Sequence, residues 1–163
     1  MHRLILLRHG KAESVSATGG DFDRGLTDRG RRDSALIGRV LAEAGIKPQL
    51  ALVSAARRTQ ETWEELAPAF PAAHAEISRQ LYLAAPEQLA AAVDRLAEQL
   101  NVMIVGHNPG LHEFALDLAR QAHVREAKLE SFPTAAAVVF RIDDGAVAME
   151  GLYLPRDHGG GPT

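Results

Sequence analysis

The chain contains no cysteine, which excludes disulfides, thiol catalysis and cysteine-ligated zinc. A Cys-free chain is tolerated in any compartment, so the count does not fix the redox setting. Long apolar runs are also missing. The longest aliphatic stretch near the N-terminus, Leu4–Leu7, is too short for a signal-peptide core or a membrane span, and cytoplasmic location is the expectation. A basic excess is absent too. The formal net charge is −3, whereas nucleic-acid binders carry a positive footprint. No Gly-x-x-x-x-Gly-Lys loop or Gly-x-Gly-x-x-Gly turn is present, so a nucleotide cofactor has no support. A metal site is disfavoured as well, because His107 and His112 are five residues apart and a helix stacks ligands at a spacing of four.

What is present is ordinary globular composition. The 163 residues are 46% apolar and 24% charged, enough to bury one core without staples. Leu4–Leu7 reads as a buried strand ended by Arg8-His9-Gly10. Residues 11–25, with Gly19, Gly20 and Gly25, read as a loop. A helix is expected from Thr27 as N-cap to Gly45 beyond its end, with Leu36, Ile37, Val40, Leu41 and Ala44 on one face.

The alternation then repeats. Leu50–Val53 is a second buried strand, and residues 56–67 are helical with Trp63 and Leu66 inward. Pro86 opens a third helix carrying an apolar stripe of Leu89, Val93, Leu96, Ala97 and Leu100. Val102–Val105 is a third buried strand. Asn108-Pro109 then serves as N-cap and first turn of a helix bearing Leu111, Phe114, Ala115 and Leu118. Two β-rich runs, 137–142 and 146–152, are joined through Asp143-Asp144-Gly145 as a hairpin. The expected architecture is an α/β three-layer αβα sandwich, with a mostly parallel central sheet and an edge hairpin. One domain is expected over residues 1–155, with 156–163 as a flexible tail that frays.

In parallel sheets the ligand crevice lies beyond the carboxyl ends of the strands. Three polar clusters occupy such ends: Arg8-His9-Gly10, the segment from Ser54 through Arg57, Arg58 and Thr59 to Thr62, and Gly106-His107-Asn108-Pro109-Gly110. Together they would surround one pocket with arginines and two histidines. That suits a phosphoryl group, which carries nearly two charges and three acceptor oxygens. A histidine there can attack phosphorus and become phosphorylated, and the helix after Asn108 can aim its positive end at the anion. Taken singly, each cluster has a plainer reading: a hydrogen-bonded strand-end histidine, a solvated arginine pair, a helix cap.

With those residues in view, the chain resembles the histidine phosphatase superfamily. Leu6-Leu7-Arg8-His9-Gly10, Ser54-x-x-x-Arg58-Thr59-x-x-Thr62 and Val105-Gly106-His107-Asn108-Pro109-Gly110 match its three signatures. The short length, Phe22-Asp23-Arg24-Gly25-Leu26-Thr27 and Phe132-Pro133-Thr134 resemble its small SixA-like phosphohistidine phosphatase branch, and the likeness runs to about Phe140. By that resemblance His9 is the nucleophile, Arg8 and Arg58 clamp the phosphoryl oxygens, and His107 adds a hydrogen bond or a positive charge. Arg24 takes a phosphate-binding role. Lys11 and Asn108 are further binding candidates. Arg57, at a variable position of the signature, is expected on the surface.

A neutral His9 is expected, with the neighbouring arginines repelling its proton. The missing part is a general acid. Glu87 is the nearest carboxylate to the region where larger relatives supply one, but in a first helical turn its plainer role is complementing the helix dipole. Imidazole leaves more easily than an alkoxide, so this lack favours phosphohistidine. The reading is therefore a metal-independent, cofactor-free phosphatase acting on a phosphohistidine-bearing protein such as a phosphotransfer domain, without nucleic-acid or membrane partners. The rivals are a phosphatase of small phosphate esters and a non-catalytic module that binds a phosphorylated partner. Oligomeric state stays open.

Overall fold

The computed structural model describes residues 2–96 and 100–162. The run Leu4–Leu7 has no polar side to turn to water, and it becomes β1 (His2–Arg8) in the interior of a six-stranded sheet. β1 pairs in parallel with β4 (Val102–Gly106) and antiparallel with β5 (Ala137–Asp143). β4 pairs in parallel with β2 (Leu50–Ser54), and β2 with β3 (His74–Ser78). β6 (Ala146–Tyr153) runs antiparallel along β5. The order is β3-β2-β4-β1-β5-β6.

Alternation along each strand sends side chains to two separate cores. Leu4 and Leu6 join Leu52, Ile104, Val138 and Phe140 under α3 (Pro86–Asp94) and α4 (Gly110–Gln121). Ile5 and Leu7 join Val53, Met103, Val105 and Val139 under α1 (Asp28–Glu43) and α2 (Arg57–Leu66). The result is the expected three-layer αβα sandwich with a mostly parallel sheet. Among the described residues, no helix is long and apolar enough to cross a membrane.

Local signals explain the element ends. Thr27 Oγ1 accepts the Gly30 N–H at 3.0 Å and caps α1. Pro86 occupies the first turn of α3, and Gln88 Oε1 accepts the Ala85 N–H at 2.8 Å. The β5–β6 turn places Asp144 at φ 48° and Gly145 at φ 80°, the left-handed pair a two-residue hairpin requires.

Four expectations are corrected. β3 is an additional strand: its sequence, His74-Ala75-Glu76-Ile77-Ser78, lacks an apolar run because it is an edge strand exposed along most of its length. The third helix ends at Asp94, where a tight turn closes with the Leu96 N–H on the Val93 carbonyl at 3.0 Å. Leu96 and Leu100 still pack on the core beyond it, so that part of the stripe marked burial rather than helix; Ala97 lies outside the described residues. Asn108 does not cap α4, because its Nδ2 donates to the Phe132 carbonyl at 2.9 Å instead. The tail does not fray through 156–162. Pro155–His158 forms a 3-10 turn, and the buried Asp33 carboxylate accepts the Gly161 N–H at 3.0 Å. Thr163 lies outside the described residues.

α1 and the turn after β1 touch backbone to backbone. A Cβ on Gly30 would stand 2.1 Å from the Lys11 carbonyl oxygen, and one on Gly10 would stand 2.5 Å from the Gly30 oxygen. Such overlap forces the helix away from the strand end. Gly30→Ala is expected to cost about 1–3 kcal/mol, read as a lower midpoint in urea denaturation with unchanged slope.

Candidate active site

Parallel register brings the three polar clusters to one edge. Arg8 of β1 faces Gly106 of β4, and Val53 of β2 faces Val105. His9, His107 and the Ser54–Thr62 segment therefore leave the sheet side by side, and the His9 and His107 ring centroids are 5.4 Å apart. They open on a cleft of about 350 Å³ lined by Arg8, His9, Lys11, Asp21, Arg24, Arg58, His107 and Asn108, with Ala12, Leu83 and Thr134 completing its wall. All seven residues singled out as site candidates meet there. Glu87 does not; it is exposed on the first turn of α3, away from the cleft. Arg57 also points elsewhere, its guanidinium donating to Glu61 at 3.2 Å on a half-exposed face.

The second signature acquires a physical meaning. Arg58 is 2% exposed and reaches the cleft from the first turn of α2. Four residues on, on the same helix face, Thr62 Oγ1 accepts the Gly10 N–H at 3.0 Å and donates to the Arg58 carbonyl at 2.7 Å. This hydroxyl ties the turn holding His9 to the helix holding Arg58. Thr59 Oγ1 lies 2.7 Å from the Ser54 carbonyl and locks the helix start to β2. The Ser54 hydroxyl shares a 2.7 Å hydrogen bond with His107 Nε2. The Phe132 carbonyl accepts from Arg8 Nη1 at 3.2 Å and from Asn108 Nδ2 at 2.9 Å.

His9 Nδ1 lies 2.7 Å from the Gly10 carbonyl, which can only accept. Nδ1 therefore carries the proton, and Nε2 keeps its lone pair. Burial pushes the His9 imidazole down to about 3, with Arg58, Arg8 and Arg24 adding to the shift. The neutral form was expected, but burial rather than arginine repulsion is the largest cause. His107 is likewise held near 3 by burial, then by His9 and Arg58. It is thus a neutral hydrogen-bonding group here, not a positive charge.

Two residues went unnoticed in the sequence. Asp21 is the one carboxylate among the cleft-lining residues. It accepts hydrogen bonds from the Tyr82 hydroxyl, from Arg24 Nε at 2.9 Å and from Arg58 Nη2 at 3.1 Å, and its main-chain oxygen accepts from Arg58 Nη1 at 2.8 Å. The Tyr82 hydroxyl, then the two arginines, hold this carboxyl below the usual carboxylate range, so it stays ionised. Tyr82 also packs edge-on against His107 at 5.5 Å. Asp21 stood one residue before the Phe22–Thr27 match, and Tyr82 sat in a segment searched only for carboxylates.

Buried polar atoms without a hydrogen-bond partner gather at this site: Nε of Arg8, Nε of Arg58, Nδ1 of His107 and Oδ1 of Asn108. Such atoms are costly unless something else satisfies them. With Lys11 and Arg24, the arginines set four cationic side chains against the carboxylate of Asp21. The arrangement suits a small oxyanion.

The two depressed imidazoles imply a pH dependence. Between about pH 6.5 and 3 the unfolded chain binds protons that the folded chain excludes, so stability is fully present above 6.5 and declines as pH falls. Melting temperature should fall through that window, and His107→Gln should flatten the decline.

Comparison with known proteins agrees with the geometry. The family model for the histidine phosphatase superfamily (branch 1) matches residues 4–82. A chloroplastic, uncharacterised protein of Arabidopsis thaliana is 29% identical over 174 residues, covering 94% of this chain and 78% of the relative. A SixA protein of Agrobacterium tumefaciens, designated a phosphohistidine phosphatase, superposes with a TM-score of 0.85 at 27% identity, covering 94% of this chain and 97% of that one. The protein histidine phosphatase SixA in complex with tungstate shares the fold with a TM-score of 0.81 at 22% identity, covering 95% and 98%. Family and fold support phosphatase activity. Three strand-end signatures meeting in one cationic cleft, the family match over residues 4–82 and the SixA-like architecture agree in relating the chain to the histidine phosphatase superfamily.

Proposed function

We propose that the chain removes phosphate from phosphohistidine on a protein, without a metal, through phosphorylation of His9. The observation that carries this reading is the fixed state of His9: neutral, proton on Nδ1, with Arg8 and Arg58 beside it. In the first step the Nε2 lone pair forms a bond to phosphorus while the bond from phosphorus to the substrate imidazole breaks. The departing ring takes a proton from solvent water and leaves neutral. In the second step water attacks phospho-His9, releasing inorganic phosphate and restoring the neutral imidazole.

Arg8, Arg58 and Arg24 offset the charge on the equatorial oxygens, so catalysis is mainly positioning and electrostatics. His107 donates to the same oxygens through Nδ1–H when the Ser54 hydroxyl donates to Nε2. Lys11 and Asn108 contribute from the cleft wall.

The substrate class rests on the leaving group. A placed proton donor is worth about 10²–10⁴-fold to an alkoxide. Asp21 is held ionised and Glu87 lies off the cleft, so neither supplies that proton. An imidazole leaving group makes the smaller demand. The partner is thus a phosphohistidine-bearing protein, and a cytoplasmic setting goes with the same reading.

The test mixes a histidine-phosphorylated phosphotransfer protein with wild type and His9→Ala, following acid-labile phosphate. Rapid loss with wild type alone is expected. No loss from wild type, beside turnover of small phosphate esters, would move the substrate to the ester class; turnover of neither would favour the binding module. Arg58→Ala should lower kcat/KM by about 10²–10³-fold. Arg57→Ala, removing a half-exposed arginine that points away from the cleft, should change it by less than about threefold. The reverse order would assign the clamp to the wrong arginine.

A further inference from the structure

Among the described residues, the exposed large apolar side chains are Val15, Ile77 and Leu83. Leu83 stands out in two respects. It lines the same cleft as His9, Arg58 and His107 while 54% exposed, and its φ is +51°. A leucine in the left-handed region is strained, because its Cβ crowds the following carbonyl. The strain is held in place from both sides. On one side the Tyr82 hydroxyl is fastened to Asp21 and the Tyr82 N–H to the Arg79 carbonyl at 3.1 Å. On the other, Ala84 is buried, with its N–H on the Leu81 carbonyl at 3.3 Å and its own carbonyl against Gly110.

The fold gains little from this side chain. It is not among the residues packed on either core, and the backbone would relax with glycine at the position. Strain of this kind gathers at functional sites. The phosphoryl group does not account for it, since an anion gains nothing from an aliphatic neighbour. Val15, 75% exposed, sits in the loop whose two ends, Lys11-Ala12 and Asp21–Arg24, both contribute to the cleft wall. Ile77 differs: it lines a separate groove with Glu76, Gln80, Gln88 and Arg95 and shares no residue with the cleft.

We infer that Leu83 is a docking contact for the protein that carries the phosphohistidine, receiving an apolar side chain next to the modified residue on that protein's folded surface. The inference rests on the substrate class proposed above. A small phosphate ester sits within the cationic cleft and does not need the rim. A phosphohistidine anchored on a folded surface brings its neighbours to the rim as its ring enters. Leu83 thereby contributes to substrate affinity, and the phosphoryl-transfer step is left to the groups below it.

The test compares wild type with Leu83→Asn, Leu83→Gly and Val15→Ser on a histidine-phosphorylated phosphotransfer protein, free phosphohistidine and p-nitrophenyl phosphate. Both asparagine and glycine accept the left-handed backbone, and the glycine variant should melt at a higher temperature than wild type. Both Leu83 variants should raise KM for the phosphoprotein about tenfold, the scale of burying one leucine side chain, with kcat unchanged. Val15→Ser should raise it less. On the two small substrates the Leu83 variants should lose far less than on the phosphoprotein, and Val15→Ser should stay within about twofold. An unchanged KM for the phosphoprotein overturns the docking role, and so does an equal loss on all three substrates, which would make Leu83 a shaper of the cleft. Failure of wild type on the phosphoprotein, beside hydrolysis of p-nitrophenyl phosphate, overturns the substrate class and the docking role together.

Discussion

Parallel pairing of β1 with β4 and of β4 with β2 is the constraint from which the site follows. It sends three consecutive polar segments out of one sheet edge in the same direction, where antiparallel neighbours would have sent alternate ones to the far side. Once they emerge together, short-range chemistry sets their spacing. Gly10 and Gly30 allow two backbones to touch, and Thr62 joins the turn after β1 to the helix after β2. Ser54, the last residue of β2, reaches across to His107 beyond β4. The Thr62 and Ser54 ties each link two signatures, so the cleft is held by the residues that define it.

The electrostatics are a compromise between burial and charge. Arg58 is nearly fully buried, and a buried cation is costly without partners. Asp21 supplies both a carboxylate and a main-chain carbonyl to it. The same burial keeps His9 and His107 neutral, which a nucleophilic nitrogen requires. A site filled only with cations would repel itself, and a site fully neutralised would not attract an anion. One carboxylate at the rim of a cationic cleft lies between those limits. Because Asp21 is held on a short 3-10 turn, Asp21–Asp23, in an otherwise irregular loop, that balance rests on one of the few regular pieces of the loop.

Much of this was legible in advance, and the reason differs by element. β1, β2 and β4 are buried on both faces, so their sequences are unbroken apolar runs that no other element explains as well. Thr27, Pro86 and Asp144-Gly145 act through their own backbone geometry, so their effect is local and readable. β3 was not readable, because an edge strand with exposed side chains need not be apolar. Asn108 had two possible bonds, and its side chain took the Phe132 carbonyl, a partner 24 residues away in sequence. The closing Gly159-Gly160-Gly161 stretch had the composition of a loose end, yet Asp33 on α1 accepts its N–H.

The sequence by itself determined the alternation of strand and helix, the three polar clusters at strand ends and the residue types able to hold and attack a phosphoryl group. These depend on hydrophobic periodicity, on turn chemistry and on the chemical nature of single side chains. Tertiary structure alone decided that burial is the main cause holding the two histidines neutral, and that Asp21, Tyr82 and Leu83 belong beside them. Those properties depend on distances between residues remote in the chain and on how much water remains around them. Neither is set until the sheet has assembled.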